Sequence, residues 1–470
     1  MVGSILGNRV PRTEDEELLT SGGTYVYDLN LDNVAYAFFV RSTAAHAKIT
    51  SLDIAEAQAA PGIIGVVTAP DLQIAPFSAG LAKVNDAFSR APLAMDLVRY
   101  VGDPVAVVVA ESFQQAVDAA ELVDIGYDFL PTVVDPEAAL GSESPLIFPE
   151  KEDNLAITML DPNSDVLGDA SHVVRGRYVN QRVAGVPLEP NSAAAVIDAE
   201  GRLTFYCATQ MPHSLKDKLA ETLDRTPDTI RVIAPDVGGG FGAKAGLYIE
   251  FPVLALLAEK YGRPVTWTET RSEDMVSLAH SRAQIQYCET GFDDQGKLTG
   301  MRVRLIGDAG AYPSMGALLP GLTKQMANGP YNFPKIRFDV VVAITNTSPT
   351  GAYRGAGRPE ATALIERAMD QASLELDIDP LEIRRKNFIQ PDQFPFNTLT
   401  GWTYDTGNYA ASLEKAAEII GYESLREEQR ERRKQGTQQA LGIGVASYVE
   451  VTSGGGGSEY ASLEIGRAHV

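Results

Sequence analysis

Three stretches of this sequence combine residue types that can do chemistry. Asp236-Val237-Gly238-Gly239-Gly240-Phe241-Gly242-Ala243-Lys244 sets Gly238, Gly239, Gly240 and Gly242 almost side by side. Glycine lets a backbone approach a ligand closely, and where such a loop runs into a helix the free N–H groups and positive dipole favour an anion. An anionic cofactor would suit it, although a tight strand-to-helix turn with no ligand would have the same composition. Gly351-Ala352-Tyr353-Arg354-Gly355-Ala356-Gly357-Arg358-Pro359 places glycines beside an aromatic ring and two arginines. Arginine grips anions through a two-pronged fork and tyrosine walls a flat pocket; the bland alternative is a surface loop with solvated arginines. Gly454-Gly455-Gly456-Gly457-Ser458-Glu459 is either a flexible loop or a third close approach to a ligand. Gln210 ends an apolar run just before Met211-Pro212, at a strand end where sites gather, though a single glutamine is usually structural. The Asp236–Lys244 loop matches neither the Gly-Lys-Ser/Thr of a P-loop nor a dinucleotide glycine spacing. Three glycine loops without a phosphate motif point, as a set, to a large cofactor.

Several classes are excluded by composition. With 62 acidic against 40 basic residues and a net charge of -22, the chain repels a phosphate backbone, so nucleic acid is not expected as a partner. Cys207 and Cys288 lie far apart, so neither a disulfide framework nor a four-thiolate iron-sulfur or zinc site is available. Any redox cluster must sit on another polypeptide. His46, His172, His213, His280 and His469 show no ligand spacing, and no protein-ligated metal is expected. No run reaches the roughly 18 apolar residues of a membrane span, and the opening residues lack signal-peptide order. A cytoplasmic protein is the expectation.

The elements that must position these loops form a mixed α/β (α+β) pattern over 470 residues, enough for two to four domains. Val105–Ala110 reads as a buried strand and Phe113–Val123 as the helix after it, giving a small domain over 1–140. Ala138–Ser164 is polar and aperiodic and reads as a strap over the surface, with 141–170 as a connecting segment. From 171 to 400, strands near Leu203–Tyr206 and Ile230–Ala234 alternate with helices from Ser214, from Tyr248 and over Pro359–Leu376. The stretch Glu250–Lys260 is apolar nearly all round, so it should be buried. Charged helices between Tyr409 and Lys434 open a third region, 401–463, which includes a strand-like Gly442–Val451.

Together these residues resemble the molybdopterin-binding large subunits of the xanthine dehydrogenase, aldehyde oxidase and aerobic carbon monoxide dehydrogenase family. The resemblance spans almost the whole chain. Arg12–Glu16 with Leu18-Leu19-Thr20, then Val40-Arg41-Ser42 with Ala45-His46-Ala47, and Tyr100-Val101-Gly102-Asp103-Pro104-Val105-Ala106 look like that family's N-terminal a/b hammerhead domain. The Gly238–Gly242 loop looks like its cofactor loop, and Thr209-Gln210 like the strand end whose glutamine hydrogen-bonds an oxygen on molybdenum. The resemblance implies a hammerhead domain, then a first molybdopterin-binding domain, then the start of a second. It implies molybdopterin cytosine dinucleotide, with molybdenum held through the dithiolene and no direct protein ligand. A molybdenum-bound hydroxide would attack an electron-poor carbon of an aldehyde, N-heterocycle or related substrate, and hydride would pass to the sulfido ligand. Electrons would leave through a 2Fe-2S small subunit and an FAD medium subunit, in a dimer of heterotrimers. Gln210, Phe241, Tyr353 and Arg354 would then act at the reacting centre. Gln210, Gly239, Gly240, Phe241, Gly242, Arg354 and Gly355 would hold cofactor.

Two departures follow. Carbon monoxide dehydrogenases proper carry a copper-binding cysteine immediately after the arginine, where this chain has Gly355, so no copper is expected. The purine- and aldehyde-oxidising branch often has glutamate where this chain has Ala245. The family's general-base glutamate and much of its dinucleotide site lie beyond 454–457, so this chain alone is expected not to turn over. Glu464–Val470 breaks the strand pattern of Tyr460–Leu463 and matches the translation of a sequencing adapter; a truncated reading frame is the expectation.

Overall fold

Pro104–Ala110 is buried along its whole length, as a strand covered on both faces must be. The computed structural model describes residues 9–451 apart from 78–83, 85–87, 163–164 and 437. The Gly454–Glu459 loop and the 464–470 segment therefore lie outside the described residues. Pro104–Ala110 sits in a seven-stranded sheet of order Ile230–Ile233, Leu203–Cys207, Ser192–Ile197, Val265–Thr268, Ala35–Arg41, Pro104–Ala110, Ile63–Thr68. Alternation along the strands sorts its two faces. Ala37, Phe39, Val107 and Val109 pack with the helices Pro212–Thr222 and Glu250–Tyr261, whereas Val40, Ala106 and Val108 pack with Phe113–Ala120. Ala35 pairs in parallel with Val265, so this sheet takes strands from both sides of residue 140. The 250–261 helix is buried as its apolar circumference predicts.

A second sheet of five strands runs Leu155–Met159, Ile336–Ala343, Leu298–Asp308, Gln284–Phe292, His172–Asn180. One face builds the largest core with the helices Met315–Met326 and Arg358–Glu375. A smaller sheet of Leu97–Val98, Ala47–Asp53 and Asp124–Phe129 completes the N-terminal region. Among the described residues no helix is long and apolar enough to cross a membrane.

Two expectations are corrected. The polar 138–164 stretch is not a surface strap: Ile147 and Phe148 are buried in the large core and Leu155–Met159 joins the five-stranded sheet. Asn154 makes this possible by satisfying irregular backbone, accepting from Ile147 N–H at 3.0 Å and donating to the Pro145 carbonyl at 2.9 Å. Gly442–Val451 forms no strand, because it has no ladder partner among the described residues. It is pinned from the side instead, by Ser447 N–H on Glu366 at 2.9 Å and Arg384 on the Val445 carbonyl at 3.0 Å. The helices Tyr409–Ile420 and Tyr422–Gln435 form where charge and periodicity place them.

The junction between the N-terminal region and the 250–261 helix is ionic and buried. The Arg41 guanidinium lies 2.9 Å from Glu250, 3.2 Å from Glu273 and 3.7 Å from Glu269, and also donates to the Gly102 carbonyl. Three carboxylates around one guanidinium leave an excess of negative charge. Burial pushes the Glu269 carboxyl well above its ordinary range, with Arg41 opposing and Glu250 adding to the shift.

Candidate functional site

The Gly238–Gly242 loop leaves the strand Ile230–Ile233 and is fixed from behind by buried polar side chains. Asp236 exchanges hydrogen bonds with Thr24, its carboxylate accepting from Thr24 N–H at 2.8 Å. Glu189 accepts from Gly238 N–H at 2.7 Å and from Lys244 Nζ at 3.0 Å, and Lys244 also donates to the Glu189 carbonyl at 2.8 Å. The Lys244 side chain is fully buried. Burial pulls its ammonium below the ordinary lysine range, and Glu189 opposes that shift. On the other side, Gln210 Oε1 accepts from Gly242 N–H at 2.8 Å while Gln210 N–H donates to the Lys244 carbonyl at 3.0 Å. The Gly242 donor needs an acceptor, which assigns Oε1 to that contact and leaves Gln210 Nε2 as a donor. Among the described residues that Nε2 has no partner.

The glycines are required by this closeness. A β-carbon on Gly240 would sit 2.5 Å from Gln210 Oε1, and one on Gly238 would sit 2.4 Å from Glu189 Cβ. Gly239 and Gly242 also have φ of 100° and 92°. Among the described residues the N–H groups of Gly239, Gly240 and Phe241 have no acceptor, which leaves three consecutive backbone donors open to an anion. This corrects the expectation of a helix N-terminus at the loop. The helix begins only at Glu250, and its first-turn acid is occupied by Arg41.

Tyr353 and Arg354 arrive beside these donors. Arg354 N–H donates to the Phe241 carbonyl at 2.7 Å, and its guanidinium lies 5.9 Å from the Phe241 ring centre. Arg354 is exposed and has no carboxylate partner among the described residues. Arg282 clamps the loop, donating to the Tyr353 and Arg354 carbonyls at 2.9 Å each, with its guanidinium 5.2 Å from the Tyr353 ring centre. Gly355 has φ of 104°, and a β-carbon there would meet Pro359 at 2.5 Å. The structure therefore gathers Gln210, Gly239, Gly240, Phe241, Gly242, Tyr353, Arg354 and Gly355 into one place.

Sequence reasoning missed Glu189 and Arg282. The signal for Glu189 was an acid between Pro187 and Pro190 after an apolar stretch; Arg282 had none. Backbone strain marks the same place. Val186, Phe241, Arg282, Ala283 and Ala356 are non-glycine residues with φ between 39° and 65°, and all belong to segments that build this site. Such conformations cost of order 1–3 kcal/mol each and persist where surrounding structure enforces them. Chemically, the site offers N–H donors, a primary amide and an unpaired cation to an oxygen-rich anion, beside the Phe241 and Tyr353 rings.

Comparison with known proteins bears on this site. The sequence profile of the molybdopterin cofactor-binding domain matches residues 147–388, and that of the aldehyde oxidase and xanthine dehydrogenase a/b hammerhead domain matches 20–131. The chain is 35% identical over 460 residues to the nicotine 6-hydroxylase large subunit of Paenarthrobacter nicotinovorans, covering 95% of this chain and 56% of that protein. It superimposes on quinoline 2-oxidoreductase from Pseudomonas putida with a TM-score of 0.83 at 33% identity, covering 92% of this chain and 56% of that one. Against CO dehydrogenase from Oligotropha carboxidovorans the TM-score is 0.85 at 32% identity, again over 92% and 56%. The chain thus spans a little over half the length of these relatives.

Proposed function

Because the chain belongs to the molybdopterin-binding family of xanthine dehydrogenase, aldehyde oxidase and carbon monoxide dehydrogenase large subunits, we propose that it is the cofactor-holding part of a molybdenum hydroxylase acting on an aldehyde, an N-heterocycle or a related carbon centre. The observation that carries this reading is the gathering, at one place, of open backbone N–H groups, the Gln210 amide and the Arg354 guanidinium, which has no carboxylate partner among the described residues. All are donors and none is neutralised by a carboxylate, which fits an anionic pterin cofactor. When bound, molybdopterin cytosine dinucleotide would supply the oxidation: oxygen delivered to an electron-poor carbon, with two electrons withdrawn.

The protein's share is positioning and electrostatics. Gly239, Gly240 and Phe241 would hold the cofactor through their backbone N–H groups, and Gln210 would offer its Nε2 as a further donor. Gly242 and Gly355 admit the backbone closely. Arg354 balances negative charge, while Phe241 and Tyr353 present aromatic faces to a flat substrate or ring. No side chain is assigned as a direct metal ligand, and no copper is assigned beside Gly355. Electrons would leave to 2Fe-2S and FAD groups on separate small and medium subunits, as a dimer of heterotrimers in the cytoplasm.

The test is to express the protein at the full length of its relatives, together with its companion subunits, and measure bound molybdenum and cytidine nucleotide, then turnover of aldehydes and N-heterocycles. Both cofactor components and turnover are expected. Bound molybdenum with no turnover would leave a cofactor-binding or assembly module, and absence of molybdenum would sink the proposal.

A further inference from the structure

The outer face of the five-stranded sheet carries a groove of about 620 Å3 that plays no part in the site above. It is built from cross-strand register. Arg177, Tyr287, Arg304 and Asp339 are neighbours in one row across four strands, and Arg175, Glu289, Arg302 and Arg337 form the next row. Four strands at about 4.8 Å spacing make each row roughly 14 Å long. The face holds five guanidinium groups against the carboxylates of Glu137, Glu289 and Asp339, in a chain whose net charge is -22.

The pairing within it is incomplete. Arg175 and Arg302 share Glu289, Arg337 binds Asp339 at 2.9 Å, and Arg177 pairs with Glu137. Arg304, between Tyr287 and Asp339, makes no hydrogen bond or ion pair among the described residues. Arg302 lies directly beside Arg337, an arrangement of like charges that weakens a sheet by itself. A small anion is poorly served here, because the guanidinium groups spread along two rows instead of converging, and four of the five are already engaged by carboxylates. A polypeptide surface is well served: arginine and tyrosine concentrate at protein interfaces, and their existing partners hold them ready for opposite charge.

We propose that this arginine–tyrosine face docks an acidic surface of a companion subunit. The identity of that companion as part of the complex rests on the function proposed above; the charge argument does not. Docking follows electrostatic complementarity, so association weakens as salt rises.

The experiment compares the wild-type complex with R302E/R304E, and with R430E as a control charge change on the exposed helix Tyr422–Gln435. Subunit stoichiometry after affinity capture is read at low and high salt, alongside bound molybdenum and the thermal midpoint. The double variant is expected to lose about tenfold or more of the captured companion, with molybdenum content and midpoint unchanged and with the control like wild type. Full retention of the companion by a folded double variant overturns the proposal. So does wild type that binds molybdenum but captures no companion, and so does a groove whose only measurable occupant is inorganic phosphate that stabilises wild type and not R304E. Should R302E/R304E unfold, the single R304E variant serves, because Arg304 makes no direct hydrogen bond or ion pair among the described residues and loses only its longer-range attraction to Glu137. Wild type without molybdenum would instead count against the function proposed above, leaving the capture result to be read on its own.

Discussion

The two glycine loops that meet at the site are held by opposite means. The Gly238–Gly242 loop is fixed by side chains brought from afar: Glu189 and Gln210 accept from its backbone N–H groups, and the buried Lys244 beside the loop holds Glu189 in place. The Gly351–Gly357 loop is fixed through its own carbonyls by one arginine, Arg282, and by left-handed turns at Gly355, Ala356 and Gly357. The first loop depends on ionic partners that cannot be removed singly, the second on backbone shape. What the pair teaches is that similar glycine spacing in sequence conceals different physical supports.

The largest effect expected from breaking this contrast is at Glu189. Glu189→Ala leaves the buried Lys244 ammonium without a counter-charge, with only the residue-189 carbonyl to accept from it, and leaves the Gly238 N–H without an acceptor; a cost of about 3–5 kcal/mol is expected in chemical denaturation. Adding Lys244→Met should recover part of it; a double variant as unstable as the single one would show that the ion pair is not the support. Arg282→Ala should cost less, about 2–3 kcal/mol: it frees two carbonyls near solvent and removes a longer, 3.4 Å contact to the buried Glu360 carboxyl, which burial already pushes towards its protonated form. If Arg282→Ala proved costlier than Glu189→Ala, the contrast would be reversed.

A third test uses pH. Burial raises the Glu269 carboxyl in the folded state, so the native chain holds that proton more tightly than the unfolded one. The stability it contributes is full below the unfolded carboxylate range and is lost as pH rises through the raised folded value. Glu269→Gln should therefore flatten the decline on the alkaline side and stabilise the protein by about 1–2 kcal/mol at pH 8. Thermal midpoints across pH 4–8 give the answer, and an unchanged slope would mean Glu269 is not the titrating group. The smallest stability effect is expected at Arg354. Arg354→Ala should shift folding by no more than about 0.5 kcal/mol, as an exposed and unpaired residue, yet reduce molybdenum occupancy of the complex. Unaltered occupancy and turnover would remove Arg354 from the site.

Much of this was legible in the residues. Glycine clusters declare close approach because no other residue tolerates it, and the 250–261 helix declares burial through an apolar circumference. Glu189 and Arg282 were not legible because each acts on a loop 49 or 71 residues away, and a lone charged residue in a connector looks solvated until its partner is placed. The 138–164 stretch misled for a related reason: its polarity reads as surface, whereas one side chain, Asn154, supplies the hydrogen bonds that let Ile147 and Phe148 go inside. Gly442–Val451 misled because alternation describes a strand's faces and not whether a neighbour exists to pair with it.

The parallel pairing of Ala35 with Val265 has a consequence in time. During synthesis at about 5–20 residues per second, the strand Ala35–Arg41 must wait roughly 10–45 s before the strand that borders it has been made. Over that interval Phe39 has no Trp267 ring to pack against, although the two lie edge to face at 5.5 Å in the finished fold. The nascent chain is thus obliged to carry an unsealed sheet border until Val265 has been added, which makes chaperone occupancy on the ribosome, followed by ribosome profiling of the bound factor, the natural place to watch this protein fold.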